Sequence, residues 1–208
     1  SDTLLDAFFE QDPSSRVAVE CFITTGLVVV GGEVTTKAQV DVQDVVRKKL
    51  ETIGYVHPEI GLDAKSCAIL VVLNRQSPDI AQGVNENDGA FKEQGAGDQG
   101  LTFGYACDQT KAYMPLPIML SHQLVYELAK LRKENVLTYL RPDSKAQVTV
   151  EYNEQREPMR VSAVVVSTQH HPNATHEQIQ DDIKRHLIDK VIPENLLPEP
   201  PTIFFNPT

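Results

Sequence analysis

The order in which hydrophobic periodicities follow one another constrains this chain more than any single motif does. Residues 4–11 have helical spacing and stop at Asp12-Pro13, because the residue before a proline is pushed out of the α region. Residues 16–24 and 27–36 are rich in β-branched and apolar side chains on either side of Gly26, which predicts a hairpin. Asp41 is placed to cap a helix in which Val42, Val45, Val46, Leu50 and Ile53 recur at helical spacing, with Gly54 as its stop. Residues 68–73 read as a fully buried strand. The stretch 74–100 has no sustained period and reads as a long loop, of the kind that serves as a lid or a linker.

The pattern then resumes. A strand is expected over 102–107 and a long helix over about 118–134, with Leu120, Leu124, Leu128 and Leu131 as its buried stripe. Strands over 146–152 and 160–168, a helix over about 175–191 and a strand over 202–205 complete it. The first half is therefore α-β-β-α-β and the second β-α-β-β-α-β. No residue-level repeat accompanies this likeness of order. Each half is expected to be a split β-α-β unit, the first lacking its opening strand, and the class is α+β with mixed sheets and helices on one face. The other sheet face then needs a cover, from another domain or a second subunit.

Bulk properties exclude several classes. The 208 residues are enough for one sizeable core or two modest ones, and no apolar run approaches the length that crosses a bilayer. A formal net charge of -10 opposes binding to nucleic acid or an acidic membrane surface. The three cysteines, Cys21, Cys67 and Cys107, have no paired spacing and sit in apolar stretches, which fits a reducing, cytoplasmic setting.

Several polar groups could carry chemistry. The run Glu93-Gln94-Gly95-Ala96-Gly97-Asp98-Gln99-Gly100 allows close approach of backbone to a ligand, yet has a carboxylate where a phosphate loop has lysine. Asp98 would face a cation or a hydrogen-bond donor; a plain surface turn uses the same residues. In Gly31-Gly32-Glu33 a carboxylate at a strand end suits an ammonium group, or a hairpin corner. Gln76-Ser77-Pro78-Asp79-Ile80 favours a turn, with the Gln76 amide at a hinge. Asp143 and Lys145, two apart at a strand entry, project to one side, where they suit sugar hydroxyls and phosphate oxygens or a solvated ion pair. His170, His171 and His176 could be read as a metal site, but no second cluster has ligand spacing and they read as surface histidines near a helix start. His122 lies in a helical stripe, and no Ser-His-Asp arrangement or nucleophile elbow is present in the sequence.

Taken in order, these strings resemble the methionine adenosyltransferase (S-adenosylmethionine synthetase) family. Those that carry the resemblance are Gln11-Asp12-Pro13, Gly31-Gly32-Glu33-Val34-Thr35-Thr36, Gln76-Ser77-Pro78-Asp79-Ile80, Gly95-Ala96-Gly97-Asp98-Gln99-Gly100, Leu140-Arg141-Pro142-Asp143-Ser144-Lys145, Ser167-Thr168-Gln169-His170 and Phe205-Asn206-Pro207-Thr208. The resemblance implies three β-α-β-β-α-β repeats, of which residues 1–91, with a gate loop, and 92–208 are two. The C-terminal repeat and an opening His-Pro-Asp-Lys motif are absent from the sequence, so a partial chain is expected. A homodimer with shared active sites is implied, doubled to a tetramer as a dimer of dimers.

The implied reaction is SN2 attack of the methionine sulfur on ribose C5′ of ATP, releasing triphosphate that is hydrolysed to phosphate and diphosphate, with Mg2+ and K+ as cofactors. By the same resemblance Glu33, Gln76 and Asp98 contact methionine, and Asp143, Lys145 and Thr208 contact ATP. Asp98 and Lys145 are catalytic. Glu20 binds potassium, and Gln76, Ser77, Pro78, Asp79, Ile80 and Gly95 belong to the gate. Two other readings are a catalytically incomplete fragment that binds or scaffolds, and a generic nucleotide-binding module.

Overall fold

The computed structural model describes residues 1–87, 92–95 and 100–207. It divides into two compact units, Ser1–Thr102 and Phe103–Thr208. In the first, α1 (Asp2–Gln11) ends at Asp12 and buries Leu4 and Phe8, one helical turn apart. The strands β1 (Arg16–Thr24) and β2 (Leu27–Thr35) form the expected hairpin, closed at Gly26 with φ 70° and in register from Thr24 opposite Leu27 to Arg16 opposite Thr35. The helix α2 (Val42–Ile53) starts where the Asp41 carboxylate accepts from the Asp44 N–H and stops at Gly54 in the left-handed region. After a short ribbon, β3 (Val56–His57) with β4 (Leu62–Asp63), the chain enters β5 (Ala68–Asn74), which runs parallel to β2.

The helices of this unit cover one sheet face. Leu4, Phe8, Val46 and Leu50 pack on Val19, Val28, Val30 and Ile69. The opposite face is open, with Phe22 at 63%, Leu70 at 53% and Val72 at 57% exposed. The expectation of a fully buried strand over 68–73 is thereby corrected: in β5 only Ile69 is buried. A run apolar on both faces marks two surfaces to be covered, and this unit covers one.

The region after β5 is also corrected, because it holds a helix, α3 (Pro78–Val84), where the sequence suggested loop alone. The overlooked signal is Pro78 just inside the helix start, where its missing N–H costs nothing.

The second unit repeats the plan with α4 (Leu116–Lys133), β6 (Leu140–Tyr152), β7 (Pro158–His170), α5 (His176–Ile183) and β8 (Thr202–Phe205). A π turn, Lys184–Ile188, carries α5 into the short α6 (Asp189–Val191), so the helix expected over 175–191 is present but interrupted. β6 pairs antiparallel and β8 parallel with the central β7. Leu120, Leu124, Leu128 and Leu131 pack as expected with Val161, Val164, Ile183 and Leu187 in the core.

No strand forms at 102–107, which corrects that expectation. Leu101, Phe103 and Tyr105 are exposed, Phe103 by 91%. Aromatic and β-branched content marks a segment that fits a sheet surface; it does not supply the neighbour that a ladder needs.

Two local features fix the edge of the first sheet. Gly32 has φ 140°, and a Cβ there would lie 1.9 Å from the Ala18 carbonyl oxygen. Asp12 joins the end of α1 to the end of β2: its Oδ1 accepts from the Ser14 N–H and hydroxyl, and its Oδ2 from the Lys37 N–H at 2.8 Å. These donors, the Ser14 hydroxyl first and then the Lys37 N–H, hold its carboxyl well below the usual range.

Two expected outcomes follow in thermal melts. Gly32→Ala costs about 3 kcal/mol or more, since backbone strain and a backbone clash add, whereas Gly26→Ala, whose Cβ meets nothing within 4 Å, loses only the conformational part. For Asp12 the folded carboxyl is the more acidic. Its contribution is therefore complete above the unfolded value of 3.8 and is lost as pH falls below it. The stability gap between wild type and Asp12→Ala is expected to be widest near neutrality and to shrink below pH 3.8.

Candidate functional site

The parallel pairing of β2 and β5 brings two of the predicted residues together. Glu33 lies on β2 opposite Ala18 of β1 and next to Asn74 of β5. Gln76 follows just after β5, and both side chains line a cleft of about 420 Å³ at this edge of the sheet. Arg16, at the start of β1, also lines it and donates from Nε to Gln76 Oε1 at 3.2 Å. Ile80 of α3 and Gly95 also line it. The Gly95 N–H donates to the Val84 carbonyl at 2.9 Å, and a Cβ at Gly95 would lie 2.7 Å from the Gly83 oxygen, so the return onto α3 requires glycine.

Of the other predicted positions, Ser77 precedes α3, while Pro78 and Asp79 form its first turn. Glu20 is an exposed residue of β1 opposite Gly31. Asp98 and Thr208 lie outside the described residues.

The second unit has its own cleft, of about 320 Å³, lined by Asp143, Ser144 and Lys145 of β6, with Ser167 and Thr168 of β7 across the ladder and Asn206 at its base. A register shift between Leu140 and Ser144 sets this alignment, after which Ser144 faces Thr168 and Lys145 faces Ser167. Asp143 and Lys145 are both exposed and share one side, as their spacing predicted. Asn206, at φ 41°, braces the floor: its Oδ1 accepts from the Thr168 N–H at 2.7 Å and its own N–H donates to the Val166 carbonyl at 3.0 Å.

Two cleft residues had no role in the sequence reading. Asn206 belongs to a quoted motif, and its neighbour Pro207 was the available sign of a turn. Arg16 gives no local signal at all, because an arginine opening a strand looks like any solvated charge.

The histidines make local contacts. His170 Nδ1 lies 3.0 Å from the His171 carbonyl oxygen, His171 Nδ1 accepts from the Asn173 N–H, and His176 opens α5. Among the described residues no three His, Cys, Asp or Glu side chains come together as a metal-binding group.

One cleft with an acid and an amide, and another with an acid and an ammonium, define an α+β protein suited to small polar ligands. Residues 1–78 match the S-adenosylmethionine synthetase N-terminal domain and residues 93–208 the central domain of the same enzyme. The chain belongs to the S-adenosylmethionine synthetase family. It is 51% identical over 208 residues to an S-adenosylmethionine synthase of Sorangium cellulosum (strain So ce56), covering 100% of this chain and 49% of that protein. It is 49% identical over 208 residues to one of Desulfosudis oleivorans (strain DSM 6200 / JCM 39069 / Hxd3), covering 100% of this chain and 53% of that protein. The chain thus spans about half the length of these curated relatives.

The Asn206 brace has a measurable consequence. Asn206→Ala is expected to speed hydrogen exchange of the Thr168 amide several-fold, as loss of a bond worth about 1 kcal/mol implies. The Val164 amide, inside the core, is expected to keep its rate.

Proposed function

We propose that this chain supplies the N-terminal and central domains of an enzyme that makes S-adenosylmethionine from ATP and L-methionine. Residues 1–91 are read as the N-terminal repeat with its gate, formed by Gln76, Ser77, Pro78, Asp79, Ile80 and Gly95, and residues 92–208 as the central repeat. The observation that carries the reading is the meeting of Glu33 and Gln76, far apart in sequence, in one cleft. A carboxylate that only accepts suits the methionine ammonium group, and an amide supplies the directional contact beside it. Asp98 is assigned to the same substrate.

On the nucleotide side, Asp143 is assigned to the ribose hydroxyls and Lys145 to the phosphate chain, with Thr208 alongside. The methionine sulfur attacks ribose C5′, the C5′–O bond to the triphosphate breaks, and the electron pair leaves with the triphosphate, which is then hydrolysed to phosphate and diphosphate. The sulfur carries a free lone pair, so the attack needs no general base. Catalysis then rests on positioning and on charge placed against the leaving group. Lys145 is assigned that charge and is therefore catalytic in this reading.

Mg2+ and K+ belong to the same proposal, with Glu20 as the potassium carboxylate and the magnesium ligands outside the described residues. So does assembly. The open sheet face at Phe22, Leu70 and Val72 is apolar enough to be covered by a second copy, giving a homodimer and, by doubling, a tetramer. A cytoplasmic setting fits the free cysteines. Among the described residues no helix is long and apolar enough to cross a membrane.

A second reading is a module that binds without catalysing. It is favoured by Lys145 being the only cation among the described residues of its cleft, against a leaving group of several negative charges. Assay of S-adenosylmethionine formation from ATP and L-methionine with Mg2+ and K+ separates the two. Product from the longer enzyme that contains this sequence supports synthesis, and its absence there leaves the binding module. In that enzyme Lys145→Ala is expected to slow single-turnover chemistry by about a hundredfold with little change in methionine affinity. Equal losses in rate and affinity would contradict the assignment to the phosphates.

A further inference from the structure

Arg16 meets Gln76 through a half-buried hydrogen bond from Nε to Oε1, 3.2 Å long, inside the cleft that holds Glu33. The two ends of a glutamine amide have opposite character, one accepting and one donating, and alone the group can turn either end to a ligand. Arginine has donors only and does not lose its proton in proteins. Its Nε–H therefore settles the choice: the Gln76 oxygen is held by Arg16, and the NH2 remains to serve the cleft. Among the described residues the Arg16 side chain makes no other hydrogen bond. The cleft then has an acceptor, Glu33, and a donor, Gln76, with the Arg16 guanidinium lining it beside the donor.

We propose that Arg16 is a positioning residue that locks the Gln76 amide with its NH2 toward the cleft and thereby selects an amino acid with a free carboxylate. The inference rests on the assignment of this cleft to methionine and adds the reason for discrimination within it. The ligand's ammonium group goes to Glu33 and its carboxylate to the Gln76 NH2, with Arg16, which also lines the cleft, acting through Gln76. A lysine would not serve equally, since a rotatable ammonium does not fix the plane of its partner as a guanidinium does.

The test combines NMR of the free protein with equilibrium binding of L-methionine and of L-methioninol, in which an alcohol replaces the carboxylate. In the ligand-free wild type the Arg16 Nε–H is expected to exchange slowly with water, and to exchange rapidly in Gln76→Ala. Rapid exchange in the wild type overturns the proposal without recourse to any Arg16 variant. In binding, Arg16→Met is expected to weaken L-methionine roughly tenfold or more, the worth of an oriented bond to a charged group, and to leave L-methioninol unchanged. The double variant with Gln76→Ala is expected to bind L-methionine no more weakly than Gln76→Ala alone.

Equal weakening of both ligands by Arg16→Met, or additive losses in the double variant, would overturn the positioning role. A failure of the underlying assignment looks different. There the wild type itself does not bind L-methionine, or Glu33→Gln leaves its affinity unchanged, and the inference then falls with the assignment.

Discussion

The parallel pairing of β2 with β5 is the constraint on which the first cleft depends. A parallel pair needs a crossover, here made by α2, and it sends both strands toward the same edge of the sheet. Glu33 is therefore delivered beside Asn74, and the next turn of chain sets Gln76 within reach of Arg16 at the start of β1. An antiparallel return would have put Gln76 at the far edge. The second unit uses the same device: β8 runs parallel to β7, so the chain leaving β8 brings Asn206 under Thr168. In both units a central strand with one antiparallel and one parallel neighbour turns distant sequence into a local polar site.

Much of this was legible because the signals were local. The bounds of α2 follow from Asp41 and Gly54, each of which serves one end of the helix by its own chemistry. The hairpin follows from two apolar runs around Gly26. What was not legible depends on partners. Residues 68–73 read as buried because both faces are apolar, but whether a face is covered is a property of the assembly, and Val72 and Leu70 lie open in this unit. Residues 102–107 have strand composition without a neighbour to pair with. The clefts divide in the same way. Glu33, Gln76, Asp143 and Lys145 stand out as chemical types in ordered motifs, whereas Arg16 acquires meaning only when the start of β1 and the exit from β5 reach the same end of the sheet on either side of β2.

Family membership and geometry also answer different questions. The matches to N-terminal and central synthetase domains account for the order of motifs along the chain. They do not say why an amide should present one end and not the other, which comes from the donor-only character of arginine. Nor do they say why Gly32 is glycine, which comes from a Cβ position already filled by the Ala18 carbonyl. The first unit leaves an apolar sheet face open, Lys145 is the only cation among the described residues lining the second cleft, and the chain spans about half the length of the curated relatives it matches.

In the proposed reading each unit holds one substrate, the first the amino acid and the second the nucleotide. Chemical-shift mapping of the isotope-labelled protein with L-methionine and ATP added separately tests it most directly. L-methionine is expected to move the resonances of Arg16, Glu33 and Gln76, and ATP those of Ser144, Lys145, Ser167 and Thr168. Methionine shifts centred on the second set, or ATP shifts centred on the first, would contradict it.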